Sequence, residues 1–83
     1  MWEHIIWDED FDGNVEHIAD NGLSIEDVEH VLANYQKKRI SRSTGNPCVF
    51  GYTPDDLYII VVFEEVDRST VYPITAYEIR PKE

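Results

Sequence analysis

One cysteine, four glycines, four prolines and seven basic residues are all that these 83 positions hold of those types, and each scarcity removes a class of protein. With Cys48 alone, no internal disulfide and no cysteine-rich zinc site can form. The expected setting is a reducing cytoplasm, with the thiol a small apolar residue of a strand. Its neighbours Pro47, Val49 and Phe50 supply no cation that would activate it. No stretch approaches the roughly 20 apolar residues that span a bilayer. The opening Met-Trp-Glu-His-Ile-Ile-Trp-Asp has neither the basic head nor the apolar run of a signal peptide. The expectation is a protein neither exported by that route nor inserted in a membrane. The glycines build no phosphate-cradling loop, no dinucleotide fingerprint and no nucleophile elbow. His4, His17 and His30 have no cysteine and no second histidine at helical spacing, so no metal or cofactor is expected.

Positive charge is scarce and gathered in one place. The formal net charge is −10, yet Lys37, Lys38, Arg39 and Arg42 carry +4, so the remaining residues must sum to −14. An acidic body disfavours general nucleic-acid binding, because phosphate repulsion is long-ranged and independent of base sequence. The basic strip can still hold one phosphate or an acidic partner. Charges on an edge strand that block sheet-to-sheet association explain Lys37, Lys38 and Arg39 at least as well.

What the chain has is one unbroken apolar run of seven residues, Leu57 to Phe63, rich in β-branched and aromatic side chains. Pro54-Asp55-Asp56 before it and Glu64-Glu65 after it restrict it to strand length. Lacking alternation, it reads as the middle strand of a small sheet, covered on both faces. Residues 1–83 are expected to form a single domain, just large enough to hold one core without disulfides.

Around that strand the order reads β-α-α-β-β-β-β. Residues 4–7 form a short first strand, with Trp2 and Trp7 as core or edge-covering aromatics. Asp12 is placed to cap a first helix bearing Val15, Ile18 and Ala19, with Phe11 packing just before them. Asn21-Gly22 ends it, and Leu23 folds back onto it. Ser24 and Asp27 make a capping-box-like start to a second helix, whose apolar face is Ile25, Val28, Val31, Leu32 and Tyr35. Strand patterns follow over Lys38–Thr44, Cys48–Thr53, the central run and Thr70–Ile79, separated by turns rich in Gly, Pro, Asn and Asp. Pro73 removes a donor from the last strand, which is therefore expected at an edge or bulged. An exposed edge there leaves room for a homodimer. The fold class is α+β, a two-helix hairpin packed on a small antiparallel sheet.

Ile6-Trp7-Asp8-Glu9, the long segment Asn14 to Val28, Phe50-Gly51-Tyr52, Val61-Val62-Phe63-Glu64 and Ile74-Thr75-Ala76-Tyr77 together resemble the BrnT family. The resemblance covers nearly the whole chain, and Asn14 to Val28 is its most specific part. It implies a RelE/ParE-like fold, membership of a toxin–antitoxin pair, metal-free cleavage of messenger RNA and an antitoxin protein as partner. His17 occupies a position matched in relatives. The family pattern also places arginines just before the strand of Phe50-Gly51, soon after the central strand, and three residues past the isoleucine of the last strand. This chain has Asn46-Pro47, Val66 and Tyr77 there.

Cleavage of RNA by its own 2′-hydroxyl needs a base, cations or donors for the phosphate, and an acid for the leaving 5′-oxygen. Glu64 or Glu65, just past the central run, can be the base if partly buried. Arg39 and Arg42 can grip phosphate, though a regular strand sets them on opposite faces. Tyr77 and Arg80 lie where the family keeps functional residues. The candidate catalytic residues are thus Glu64, Arg39, Arg42, Tyr77 and Arg80. Each has a plain structural reading beside it: a solvated strand end, edge charges, a cross-strand aromatic, a surface arginine. Two functional readings follow, a BrnT-like ribonuclease toxin, and a catalytically inactive member of the fold serving as a protein-binding module or homodimer.

Overall fold

The central apolar run is where the sheet is built. In the computed structural model, which describes residues 2–80, Tyr58–Glu65 form the third strand of a five-stranded sheet. We name the elements β1 (His4–Ile5), α1 (Asn14–Asp20), α2 (Ile25–Asn34), β2 (Lys37–Ile40), β3 (Pro47–Tyr52), β4 (Tyr58–Glu65) and β5 (Thr70–Glu78). Across the sheet the order is β1-β5-β4-β3-β2, so β4 has a partner on either side. Strands β2 to β5 form the expected antiparallel meander. The sheet as a whole is mixed, because β1 lies parallel to β5, His4 beside Thr70 and Ile5 beside Val71.

Alternation along β4 divides its side chains between two cores. Ile59, Val61 and Phe63 face the helices and pack with Ile18, Leu23, Val28, Val31, Leu32, Val49, Val71 and Ala76. Ile60 and Val62 face the other way and form a smaller cluster with Cys48, flanked by Phe50, Ile74 and Ile79. Both faces are therefore dry, which is why the run lacks polar alternation. Only the first face is roofed by helices. Trp2 closes that roof at one end, its ring centroid 4.8 Å from that of Phe63 in an edge-on contact.

The end of α1 and the start of α2 follow the sequence chemistry. Ser24 Oγ accepts from Asp27 N–H and Asp27 Oδ2 accepts from Ser24 N–H, a complete capping box with the shorter acid. At the end of α1, Gly22 takes the left-handed φ of 77°. Its N–H donates to the carbonyl of Ala19, and Leu23 N–H to that of Ile18, closing the helix with the hydrophobic return expected of Leu23. The start of α1 differs. Gly13, not Asp12, is the cap, and Asp12 itself turns left-handed at φ 63°. Gly13 lies so close to the Asp8 backbone carbonyl that a Cβ would collide with it, so the chain bends one residue later than the capping pattern indicates. Phe11, on that bend, is 85% exposed rather than packed on the helix.

What fastens this bend is a buried amide. Asn14 is 1% exposed; its Oδ1 accepts from Asp8 N–H at 2.7 Å, and its Nδ2 donates to the carbonyls of Ile6 and Pro73, each at 2.9 Å. One side chain thereby ties the segment after β1, the first turn of α1 and the middle of β5. Asn21 repeats the device at the other end of α1, donating to the Ala76 carbonyl at 2.9 Å. Past Val71, where β1 stops, the outer carbonyls of β5 are thus met by side chains of α1 instead of a strand.

Of the two positions expected from Pro73, edge or bulge, β5 takes the second and is not an exposed edge. The proline sits instead beside a register shift, with Phe63 opposite Pro73 and Val62 opposite Thr75, so the strand is bulged there. β2 is an edge strand of the sheet, and it ends at Ile40 and not at Thr44, because Ser41 N–H already pairs with the Asn46 carbonyl to close the turn. Tyr35 has likewise left the apolar face of α2; it is the C-cap and 42% exposed.

Replacing Asn14 by alanine leaves three main-chain groups without their partner, and urea unfolding should record a loss of about 2–4 kcal/mol. Ser24→Ala, which removes an exposed cap, should cost only about 1 kcal/mol in the same experiment.

Candidate functional site

The uncovered face of the sheet is read directly from the strand register. Arg39 lies opposite Cys48, Cys48 opposite Val62 and Val62 opposite Thr75, which makes one row across four strands. Lys37, Phe50, Ile60 and Tyr77 make the next row by the same pairings. Tyr52 and Tyr58 pair beyond them, with ring centroids 4.8 Å apart. Glu64 and Tyr72 pair at the opposite end. All belong to the face carrying Ile60 and Val62, since partners directly across a sheet share a face.

This places three of the five candidate residues, Arg39, Glu64 and Tyr77, on one open surface. They are not adjacent. Taking the usual strand and residue spacings, Arg39 and Glu64 have Cα atoms about 12 Å apart, and Glu64 and Tyr77 about 14 Å. Glu64 is exposed, so the partial burial expected around it is not found, and Tyr77 is 45% exposed. The other two candidates stand elsewhere. Arg42 lies in the turn after β2, beyond the strand whose alternation would have set its side. Arg80 follows β5, and its Nε is 3.6 Å from Glu78 Oε1, on a residue whose partner Ile59 faces the helices. Glu65 also faces that side and holds Lys38 Nζ at 3.4 Å, while the same ammonium sits 5.4 Å from the Trp2 ring centre. That pair is a half-exposed strap over the end of the helical core, not part of the open face.

Of two further members of this surface, Lys37 belongs to the basic strip legible in the sequence and only Tyr72 was invisible to pattern reading. Lys37 shares the open face with Arg39 and adds a second cation to it. Tyr72, directly across from Glu64, also lines a groove of about 320 Å³ with Asp12, Asn14, His17, Ile74 and Thr75. The groove runs between the first turn of α1 and the bulge of β5. It brings His17 to the rim of the open face, although nothing in the linear spacing connects residues 17 and 72. The bulge decides this arrangement, and no sequence signal beyond Pro73 announces it. Among the described residues no three His, Cys, Asp or Glu side chains stand close enough to hold a metal.

One ionisable group near this surface is distinctly perturbed. In the turn from β4 to β5, Asp67 Oδ1 accepts from Ser69 N–H at 2.9 Å and from Ser69 Oγ at 3.3 Å. These bonds, the backbone one foremost, with a further one from the Thr70 side chain, hold the Asp67 carboxyl below the usual carboxylate range. The turn is thereby kept tight, and with it the alignment of Glu64 and Tyr72.

What these features define is a small α+β domain of two helices on one side of a five-stranded mixed sheet, with the other side open, aromatic and cationic at one margin. Compared with protein-family models, with curated proteins and with solved structures, the chain matches none of them.

Asp67 should titrate below an ordinary side-chain carboxyl when followed by carbon-detected NMR. Because the folded state lowers its pKa, its contribution to stability is present above the unfolded value of about 4 and is lost as pH falls through the folded one. Asp67→Asn should remove that part of the acid dependence and leave the neutral-pH fold intact.

Proposed function

We propose that this chain is a BrnT-like member of the RelE/ParE-type toxins, acting in the cytoplasm on RNA across its open sheet face and held in check by an antitoxin protein. The observation that carries the reading is the gathering of Arg39, Glu64 and Tyr77 on that one face. Each was singled out for separate reasons along the sequence, and the strand register joins them.

In this reading a single RNA strand lies across β2 to β5. Lys37 and Arg39 take its phosphates at the β2 margin, and the aromatic rings of Phe50, Tyr52 and Tyr58 lie beneath its bases. Glu64 accepts the proton of a 2′-hydroxyl as that oxygen attacks phosphorus, and the 5′-oxygen leaves with a proton from Tyr72, the phenol directly across from Glu64. The spread of about 12 Å between Arg39 and Glu64 suits contacts to successive nucleotides rather than one clustered centre.

The competing reading is an inactive relative that binds protein. A specific observation favours it: the cations placed on the open face stand on β2, and Val66 and Tyr77 occupy positions where the family pattern has arginines. Without a cation beside the reacting phosphate, electrostatic stabilisation of the transition state is weak.

Induced expression of the intact chain in a bacterial host, without any partner, separates the two. Growth arrest with fragmented RNA is expected, and Glu64→Gln should slow cleavage by about 100-fold. Arg39→Ala should also lose it, whereas Arg42→Ala, in the turn beyond β2, and Arg80→Ala, beyond β5, should retain it. Normal growth and intact RNA from soluble, folded protein would overturn the ribonuclease reading and leave the binding module.

A further inference from the structure

β2 ends the sheet, and its outer side is a row of main-chain groups with no partner among the described residues. Which groups these are follows from the turn. Ser41 N–H bonds the Asn46 carbonyl at 2.7 Å, and hydrogen-bonded pairs alternate along an antiparallel ladder, so Arg39 and Lys37 turn their peptide groups inward to β3. Lys38 and Ile40 must turn theirs outward. Pro47 corroborates the assignment: it stands opposite Ile40 and has no N–H to give, as a non-bonded pair allows.

The edge therefore offers two donors and two acceptors in alternation, the main-chain N–H and C=O of Lys38 and Ile40. Its side chains are all exposed. Lys37 and Arg39 rise on the open face and, with Arg42 in the turn, make no ion pair among the described residues. On the opposite face Lys38 is already held by Glu65, and Ile40 is 63% exposed.

We propose that this edge is a docking strand for an extended acidic peptide of a partner protein, which adds to the sheet as a sixth strand beside β2. Only a peptide backbone answers the alternation, since phosphate accepts hydrogen bonds but has none to donate to the Lys38 and Ile40 carbonyls. A second copy of this chain pairing through β2 would set Lys37 and Arg39 against their own counterparts, and like charges across a ladder repel. The side-chain pattern of the guest follows from the host: carboxylates opposite Lys37 and Arg39, alternating with an apolar residue on the Ile40 side. Docking at the edge does not require that the open face act on RNA.

The test uses the full chain and a synthetic dodecapeptide alternating Glu with Val and Thr, with a proline-interrupted peptide of equal charge and a single-stranded oligouridine as controls. Amide hydrogen exchange followed by NMR is the readout. The acidic peptide should slow exchange at Lys38 and Ile40 selectively, and its affinity should fall as salt rises. Lys37→Glu with Arg39→Glu should weaken it by about tenfold or more. Ile40→Pro removes one outward donor while keeping every charge and is tolerated where the N–H faces solvent; it should abolish protection at Lys38, with exchange at Val49 and Val61 unchanged to show an intact sheet. Equal binding of the proline-interrupted peptide would overturn the proposal, as would oligouridine binding at this edge in preference to the peptide. Protection at Lys38 and Ile40 that appears with protein concentration alone would overturn it in favour of self-pairing.

Discussion

The carboxamide of Asn14 is the interaction on which the arrangement of this molecule turns. Buried without partners, an amide costs several kilocalories per mole; here its hydrogen-bonding groups meet three main-chain groups from two separate segments. The bonds are local at one end and very long in sequence at the other, since Asp8 is six residues away and Pro73 is 59. They decide where α1 lies against β5. From that follow the groove beside Tyr72, the position of His17 and the protection of an edge that β1 is too short to cover. An aspartate could accept as Asn14 does but could not donate to two carbonyls, which makes the amide the chemically required residue at this point.

The two faces of the sheet have been treated differently by the chain. On one, helices and Trp2 enclose Phe63 and its neighbours completely. On the other, Cys48, Ile60 and Val62 are shielded only by surrounding strand residues, chiefly large aromatic and branched ones. Burial without a roof leaves a surface that is dry in its middle and polar around its rim. Such a surface holds its shape when empty and presents rings and charges to whatever lies across it. The acidic remainder of the protein keeps polyanions from settling elsewhere, so the basic margin stands out by contrast.

Much of this architecture could be read before any coordinates, for identifiable reasons. The run from Leu57 to Phe63 had to be a covered strand, and Ser24 with Asp27, and Gly22 after Asn21, are local signals whose geometry depends on few neighbours. Asp12 and Phe11 misled because a capping pattern carries no information about how closely Gly13 must pass Asp8. The parallel pairing of β1 was illegible because its partner lies at the far end of the chain. For the candidate site, the residue types could be named but not their company. Arg42 was lost to a turn that closed early, Arg80 to Glu78, and Tyr72 came into view only once the bulge at Pro73 had fixed the register. A shift of one residue at that bulge exchanges the faces of everything beyond it, and no periodicity reports such a shift.

β1 touches the sheet only beside Thr70 and Val71, which gives the shortest strand the longest loop to close. The meander from β2 to β5 is built from neighbours in sequence and pays little to assemble; β1 must wait for a strand that begins more than sixty residues further on. A chain emerging from the ribosome therefore holds β1 without a partner until some sixty residues later. Completion of the fold is signalled at the amino end, by the arrival of residues 4 and 5 at a place prepared by residues 70 and 71.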